Sequence, residues 1–85
     1  MDSQTSDIIL YGAQRCLKTQ YYQLFLKEKK RGFTFLDVEE NNSASEDLRN
    51  LYKNRKLNFP TITMGKKKLR NPSNIELNKW IEKLK

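Results

Sequence analysis

The sequence predicts an α/β domain whose elements run strand, helix, strand, helix, strand, strand, helix. Three observations carry that reading. Segments rich in branched and aromatic residues alternate with segments of helical period, two Ser-x-x-Glu boxes stand ahead of apolar stripes, and no repeat or linker divides the 85 residues. A chain of that length builds one small core, so most of its apolar positions are committed to packing. Residues 1–6 are expected to be a tail and residues 7–85 the domain.

Ile8, Ile9, Leu10 and Tyr11 form a short apolar strand. Leu17, Tyr21, Leu24 and Phe25 then recur at helical spacing, the stripe gives way to charge at Glu28, and Gly32 supplies a stop. Residues 33–38, rich in Phe, Thr, Leu and Val, suit a second strand with Asp37 near its exit. A helix between two parallel strands of one sheet implies a right-handed crossover. Residues 39–42 read as a loop, and Ser43 with Glu46 has the form of a capping box opening a helix whose apolar face is Ala44, Leu48, Leu51 and Tyr52. Asn58, Phe59 and Pro60 break the pattern, residues 61–64 make a strand, Gly65 and Lys66 a tight turn, and residues 67–69 the returning strand. Ser73 and Glu76, just after Pro72, cap a last helix with the stripe Leu77, Trp80, Ile81 and Leu84.

Composition excludes several chemistries. One cysteine and no histidine leave no intrachain disulfide, no multi-thiolate metal site, no histidine-based triad and no ordinary zinc site. No metal is expected. The seventeen Lys plus Arg against ten Asp plus Glu give a formal charge of +7, which favours anionic partners in general. The basic groups cluster as Lys27, Lys29, Lys30 and Arg31 at a helix end and as Lys66, Lys67 and Lys68 at a turn, and both read as solvated surface. Nucleic acid ranks last as a partner, because no pattern of exposed aromatics flanks the Lys66 run. No run is apolar for long enough to cross a bilayer, and the first residues lack the basic and apolar regions of a signal peptide, so a soluble cytoplasmic protein with no membrane partner is expected.

Cys16 is the candidate reactive group. It opens the first helix, where unpaired N–H groups and the positive end of the dipole favour a thiolate. Arg15 and Lys18 supply nearby cations, and the amides of Lys18 and Thr19 with the Thr19 hydroxyl are donors for sulfur. A buried structural cysteine is the competing reading, and the polar neighbours Gln14, Arg15, Lys18 and Thr19 argue against it.

Four segments taken together resemble a glutaredoxin of the thioredoxin fold, in a monothiol Cys-x-x-Thr variant. They are Leu10-Tyr11, Cys16-Leu17-Lys18-Thr19, Phe59-Pro60-Thr61-Ile62 and Leu77-Asn78-Lys79-Trp80-Ile81, and the resemblance spans residues 7–84. It implies a βαβαββα chain with a four-stranded mixed sheet flanked by helices. It implies that Cys16 is the nucleophile, with Thr19 standing where dithiol members hold a resolving cysteine. Pro60 matches a proline held in cis facing that cysteine, and Phe59 then offers its backbone to a thiol substrate. Tyr11, Phe59, Pro60, Thr61, Arg70, Ser73 and Asn74 are the substrate-binding positions so implied. No bound cofactor is expected, glutathione or another low-molecular-weight thiol is the implied cosubstrate, and the implied partners are glutathionylated or disulfide-bearing proteins acted on by a monomer.

The chain departs from the family where a glutathione carboxylate is gripped. Ala13 replaces a lysine, and Arg70, Asn71, Ser73 and Asn74 replace a Gly-Gly turn and following aspartates. Arg15, Arg70 or Lys18 would have to take over, with the helix start at Ser73 as an anion site. Leu17 and Lys18 replace the Gly-Phe of cluster-bridging members, a departure that counts against iron-sulfur cluster binding and leaves it undecided. The alternative function is a non-catalytic thioredoxin-fold binding module, or a redox sensor, with a basic partner-binding surface.

Overall fold

The computed structural model describes residues 8–29, 32–65 and 67–83. Its elements are β1 (Ile8–Gly12), α1 (Leu17–Glu28), β2 (Thr34–Asp37), α2 (Asn42–Asn50), β3 (Thr61–Met64), β4 (Lys67–Arg70) and α3 (Asn74–Lys83). The four strands form one mixed sheet in the order β2-β1-β3-β4, with β1 parallel to β2 and antiparallel to β3. The tail, Lys30, Arg31, Lys66 and Leu84 lie outside the described residues. Among the described residues no helix is long and apolar enough to cross a membrane.

The period-2 alternation of the strands sorts the apolar residues into two cores. Ile8 and Leu10 of β1, Ile62 and Met64 of β3 and Leu69 of β4 face Tyr22 and Leu26 of α1 and Leu77 and Ile81 of α3. On the opposite face Tyr11 and Val38 meet Ala44 and Leu48 of α2, with Ile9, Leu36, Tyr52, Leu57 and Phe59 packed around them. Leu10, Leu26, Leu48, Ile62 and Leu77 are fully buried, and each contributes on the order of 1.5–3 kcal/mol of transfer free energy.

Helix α1 turns a different face inward from the one its hydropathy predicts. Thr19, Tyr22 and Leu26 are buried and Phe25 is half-buried, whereas Leu17, Tyr21 and Leu24 face outward. The displaced stripe has a physical cause. Tyr22 reaches the core because its hydroxyl donates to the Pro72 carbonyl at 2.6 Å, and Thr19 because its Oγ1 accepts from the Ala13 N–H at 3.2 Å. Two polar-tipped side chains thus occupy core positions that a count of aliphatic residues misses. The helix also stops earlier than expected, at Glu28 with Lys29 as its C-cap, ahead of Gly32.

The N-terminus of α2 is another correction. Asn41, not Ser43, is the N-cap, its Oδ1 accepting from Ala44 N–H at 3.0 Å. Asp37 shortens the preceding turn by accepting from Glu39 and Glu40 N–H, which delivers Asn41 to the cap position. Glu46 pairs instead with Arg49 and Arg55. Leu51 and Tyr52 pack on the second core as expected but lie beyond the last helical residue.

The hairpin and last helix follow the sequence closely. Gly65 takes φ +60° in the turn between β3 and β4, a conformation that suits a residue without a Cβ. Ser73 caps α3, its Oγ accepting from Glu76 N–H at 3.2 Å. Two partly buried aromatic rings lie beside Lys67 and Lys68. Lys67 and Lys83 lie over Trp80 at 4.8 and 4.6 Å, and Lys68 lies over Tyr52 at 4.4 Å. These ring faces meet lysine ammonium groups.

Helix α1 approaches β1 so closely that a Cβ on Gly12 would lie 2.7 Å from Thr19 Cγ2, inside any real contact. Thr19 is β-branched and fully buried, so it has little freedom to yield. Gly12→Ala is therefore expected to lower stability by about 1–3 kcal/mol in urea unfolding, the range for overpacking. Adding Thr19→Ser should recover part of that loss, and a Gly12→Ala protein as stable as the native one would contradict this packing.

Candidate functional site

The site lies where β1 ends and α1 begins. Residues 13–15 are held by a set of local bonds, each dictated by an unpaired backbone group. Cys16 N–H donates to Ala13 O at 2.9 Å, Ala13 N–H to Thr19 Oγ1, Gln14 N–H to Asp37 Oδ2 at 3.2 Å, and Gln20 Nε2 to Gln14 O at 2.7 Å. Arg15 is tied to Glu39 by two bonds, Nε to Oε1 at 2.8 Å and Nη2 to Oε2 at 2.5 Å. Asp37, the last residue of β2, pairs in register with Gly12 and reaches across to this loop.

Cys16 is the N-cap of α1, with extended backbone at φ −84° and ψ 123°, and its side chain makes no cap bond. The thiol is partly exposed. Partial burial is the largest single influence and works against ionisation. The Thr19 N–H, the Thr19 hydroxyl, the Lys18 N–H and the Arg15 charge act the other way and together hold the thiol below its ordinary value. Thr19 Oγ1 accepts from Ala13, which leaves its proton free to serve the sulfur. Among the described residues no cluster of Cys, Asp or Glu side chains is arranged to hold a metal ion.

The expected site residues divide into those at the thiol and those elsewhere. Lys18 and Thr19 act on sulfur through backbone N–H groups, and Thr19 through its hydroxyl as well. Arg15 is engaged by Glu39 and gives the smallest of the favourable influences, a weaker role than its sequence position implied. The Phe59–Pro60 bond is cis. Pro60 directly precedes Thr61, whose partner in the ladder is Tyr11, at the end of the sheet from which the Cys16 loop departs. Among the described residues neither the N–H nor the C=O of Phe59 is taken by another backbone group.

Two of the substrate positions implied by the resemblance have buried side chains. Tyr11 is only 6% exposed and belongs to the second core, where burial and the nearby Asp47 raise its phenol above the ordinary value. Thr61 is fully buried, and its hydroxyl donates to Asn58 O at 2.6 Å and meets Tyr52 Oη at 2.8 Å. Ala13, which replaces the family's lysine, is also fully buried.

A cleft of about 410 Å³ beside the thiol loop joins Lys18, Tyr21 and Tyr22 of α1 to Pro72, Ser73 and Asn74 at the start of α3. It unites three of the expected residues, Lys18, Ser73 and Asn74. Tyr21 and Tyr22 were missed, although two adjacent tyrosines on the cysteine's own helix were a visible signal. The Tyr21 hydroxyl donates to Asn74 Oδ1, and Tyr22 Oη to the Pro72 carbonyl and Asn71 Oδ1, so the second turn of α1 is tied to the start of α3. Asn71 stands at φ +50°, the left-handed region that asparagine tolerates better than most residues, and its N–H donates to Pro60 O at 3.0 Å. A glycine is therefore not needed for the turn itself. Arg70 is exposed on β4, opposite Thr61 in the ladder.

No protein-family model and no curated protein matches the chain. Among solved structures it is similar to a glutaredoxin from Archaeoglobus fulgidus, with a TM-score of 0.78 and 16% identity over 91% of this chain and 87% of the other. It is also similar to the thioredoxin-like protein BC3987, with a TM-score of 0.72 and 21% identity over 85% of this chain and 96% of that one. A point mutant of the same protein gives a TM-score of 0.74 and 20% identity over 87% and 97% of the respective chains. At these identities the likeness is one of fold, and the architecture is the α/β thioredoxin-like one that glutaredoxins share.

The lowered thiol pKa has a thermodynamic consequence. An acid whose folded pKa lies below its unfolded value contributes stability that is complete above the unfolded value, about 8.5 for a thiol, and is lost as pH falls through the folded value. The stability difference between the native protein and Cys16→Ser should therefore rise with pH between those two values and be flat on either side. Urea unfolding of both proteins across that range measures it, and a difference independent of pH would show that the helix start does not favour the thiolate.

Proposed function

We propose that the protein is a monothiol glutaredoxin-like thiol-disulfide oxidoreductase in which Cys16 is the nucleophile. The observation that carries the reading is the position of Cys16 at the start of α1, with Lys18 N–H, Thr19 N–H and the Thr19 hydroxyl directed to favour its thiolate. The thioredoxin-like fold supports it by setting Pro60 and the backbone of Phe59, which has no backbone partner among the described residues, at the same end of the sheet.

In the proposed reaction the Cys16 thiolate attacks the glutathione sulfur of a protein–glutathione mixed disulfide. An S–S bond forms between Cys16 and glutathione as the protein–glutathione bond breaks, and the protein thiolate leaves and takes a proton from solvent. A second glutathione, as thiolate, then attacks the glutathione sulfur on Cys16, producing glutathione disulfide and restoring the Cys16 thiolate. The chain has no other cysteine, so the second thiol must come from outside it. Thr19 cannot resolve the intermediate and serves as a hydrogen-bond donor.

Phe59 would pair its free backbone groups with the cysteinyl part of the thiol, as a strand pairs with an edge. Lys18, Ser73 and Asn74 would receive a carboxylate in the cleft, with Arg70 outside it, in place of the lysine that Ala13 replaces. Glutathione or a similar small thiol would act as cosubstrate in a reducing compartment such as the cytoplasm, with glutathionylated or disulfide-bearing proteins as partners.

Glutathione-dependent reduction of 2-hydroxyethyl disulfide, assayed beside ultraviolet titration of the thiolate, tests this reading. The native protein should turn over and titrate below about 8.5, and Cys16→Ser should fall to the background rate. Thr19→Val should raise the titration midpoint and shift the pH profile of turnover in the same direction. A native thiol that titrates at the free value with no turnover would sink the proposal.

A further inference from the structure

Among the described residues, the large apolar side chains that stand well exposed are Leu17 at 79%, Tyr21 at 43%, Leu24 at 64% and Ile75 at 82%. They are not scattered. Leu17, Tyr21 and Leu24 follow one another at i, i+4 and i+7 on the outer face of α1, starting at the residue next to Cys16. Ile75 lies in the first turn of α3, which the Tyr21–Asn74 bond ties to that same face. The stripe therefore runs from the thiol along α1, with the cleft between α1 and α3 beside it. A contiguous apolar surface with polar borders marks an interaction site more often than chance exposure does.

Charge selects the occupant. Lys18 lines the cleft, and Lys27 and Lys29 stand at the far end of the stripe, with Glu28 at the end of α1 and Glu76 in the first turn of α3 as the neighbouring acids. The whole chain carries +7, so two copies repel one another, whereas an acidic polypeptide is attracted at long range. We propose that the α1 face formed by Leu17, Tyr21, Leu24 and Ile75 docks an acidic protein partner through an apolar, carboxylate-bordered segment. This inference rests on the proposed function in one respect, that the docked segment brings its sulfur to Cys16, and its binding does not depend on that chemistry.

Two short synthetic peptides test it, one of Leu, Phe and Glu and one of Leu, Phe and Lys, each with serine in place of a central cysteine. Amide NMR titration of the native protein should shift Leu17, Tyr21, Leu24 and Ile75 with the Glu peptide, which should bind at least about tenfold more tightly than the Lys peptide. Leu24→Ser with Ile75→Ser should weaken that binding about tenfold while leaving 2-hydroxyethyl disulfide reduction unchanged. Equal affinities, shifts confined to another surface, or a dimer dissolved by the same substitutions would overturn the proposal, the last by showing that a second copy covers the face. Binding on this face without any disulfide turnover would leave the docking surface standing and remove the oxidoreductase reading alone.

Discussion

The close approach of Thr19 to Gly12 is the constraint on which the rest of the site depends. With no Cβ between them, the first turn of α1 sits directly on the end of β1, and the residues connecting the two must close within a tight turn. The Thr19 hydroxyl oxygen then takes the Ala13 N–H and leaves its proton to favour the thiolate, so one side chain organises the loop and lowers the thiol pKa. A larger residue at either position would move Cys16 off the helix start, where the unpaired N–H groups are.

Asp37 supports the same arrangement from the neighbouring strand. One carboxylate oxygen receives the Gln14 N–H and the other receives those of Glu39 and Glu40, so the thiol loop and the turn into α2 share an anchor. Glu39, delivered by that turn, engages Arg15. The acidic exit of β2 thereby engages the Arg15 guanidinium, whose charge is the smallest of the favourable influences on Cys16.

Much of this was legible in residue order. The alternation of elements, the hairpin at Gly65, the cap at Ser73 and the helix start at Cys16 each depend on local chemistry, and local chemistry is what a sequence displays. What it hid depends on tertiary partners. Tyr22 stands outside the apolar stripe predicted for α1 until the Pro72 carbonyl is seen to receive its hydroxyl, and the burial of the Tyr11 and Thr61 side chains appears only once the sheet and α2 are assembled. Asn41 and Ser43 are equally good caps in isolation, and only the Asp37 turn decides between them. The cleft escaped notice because its walls come from residues about fifty positions apart.

Strand β4 is one edge of the sheet, and its free side would ordinarily invite another chain to add a strand. Lys67 and Lys68 point to opposite faces of that strand and rest on Trp80 and Tyr52, and Lys68 also donates to Leu51 O. An incoming strand would have to dislodge or desolvate an ammonium group on either face of the edge. The domain thus carries, at the border where sheets most readily polymerise, a pair of anchored charges that keeps it from templating its own aggregation.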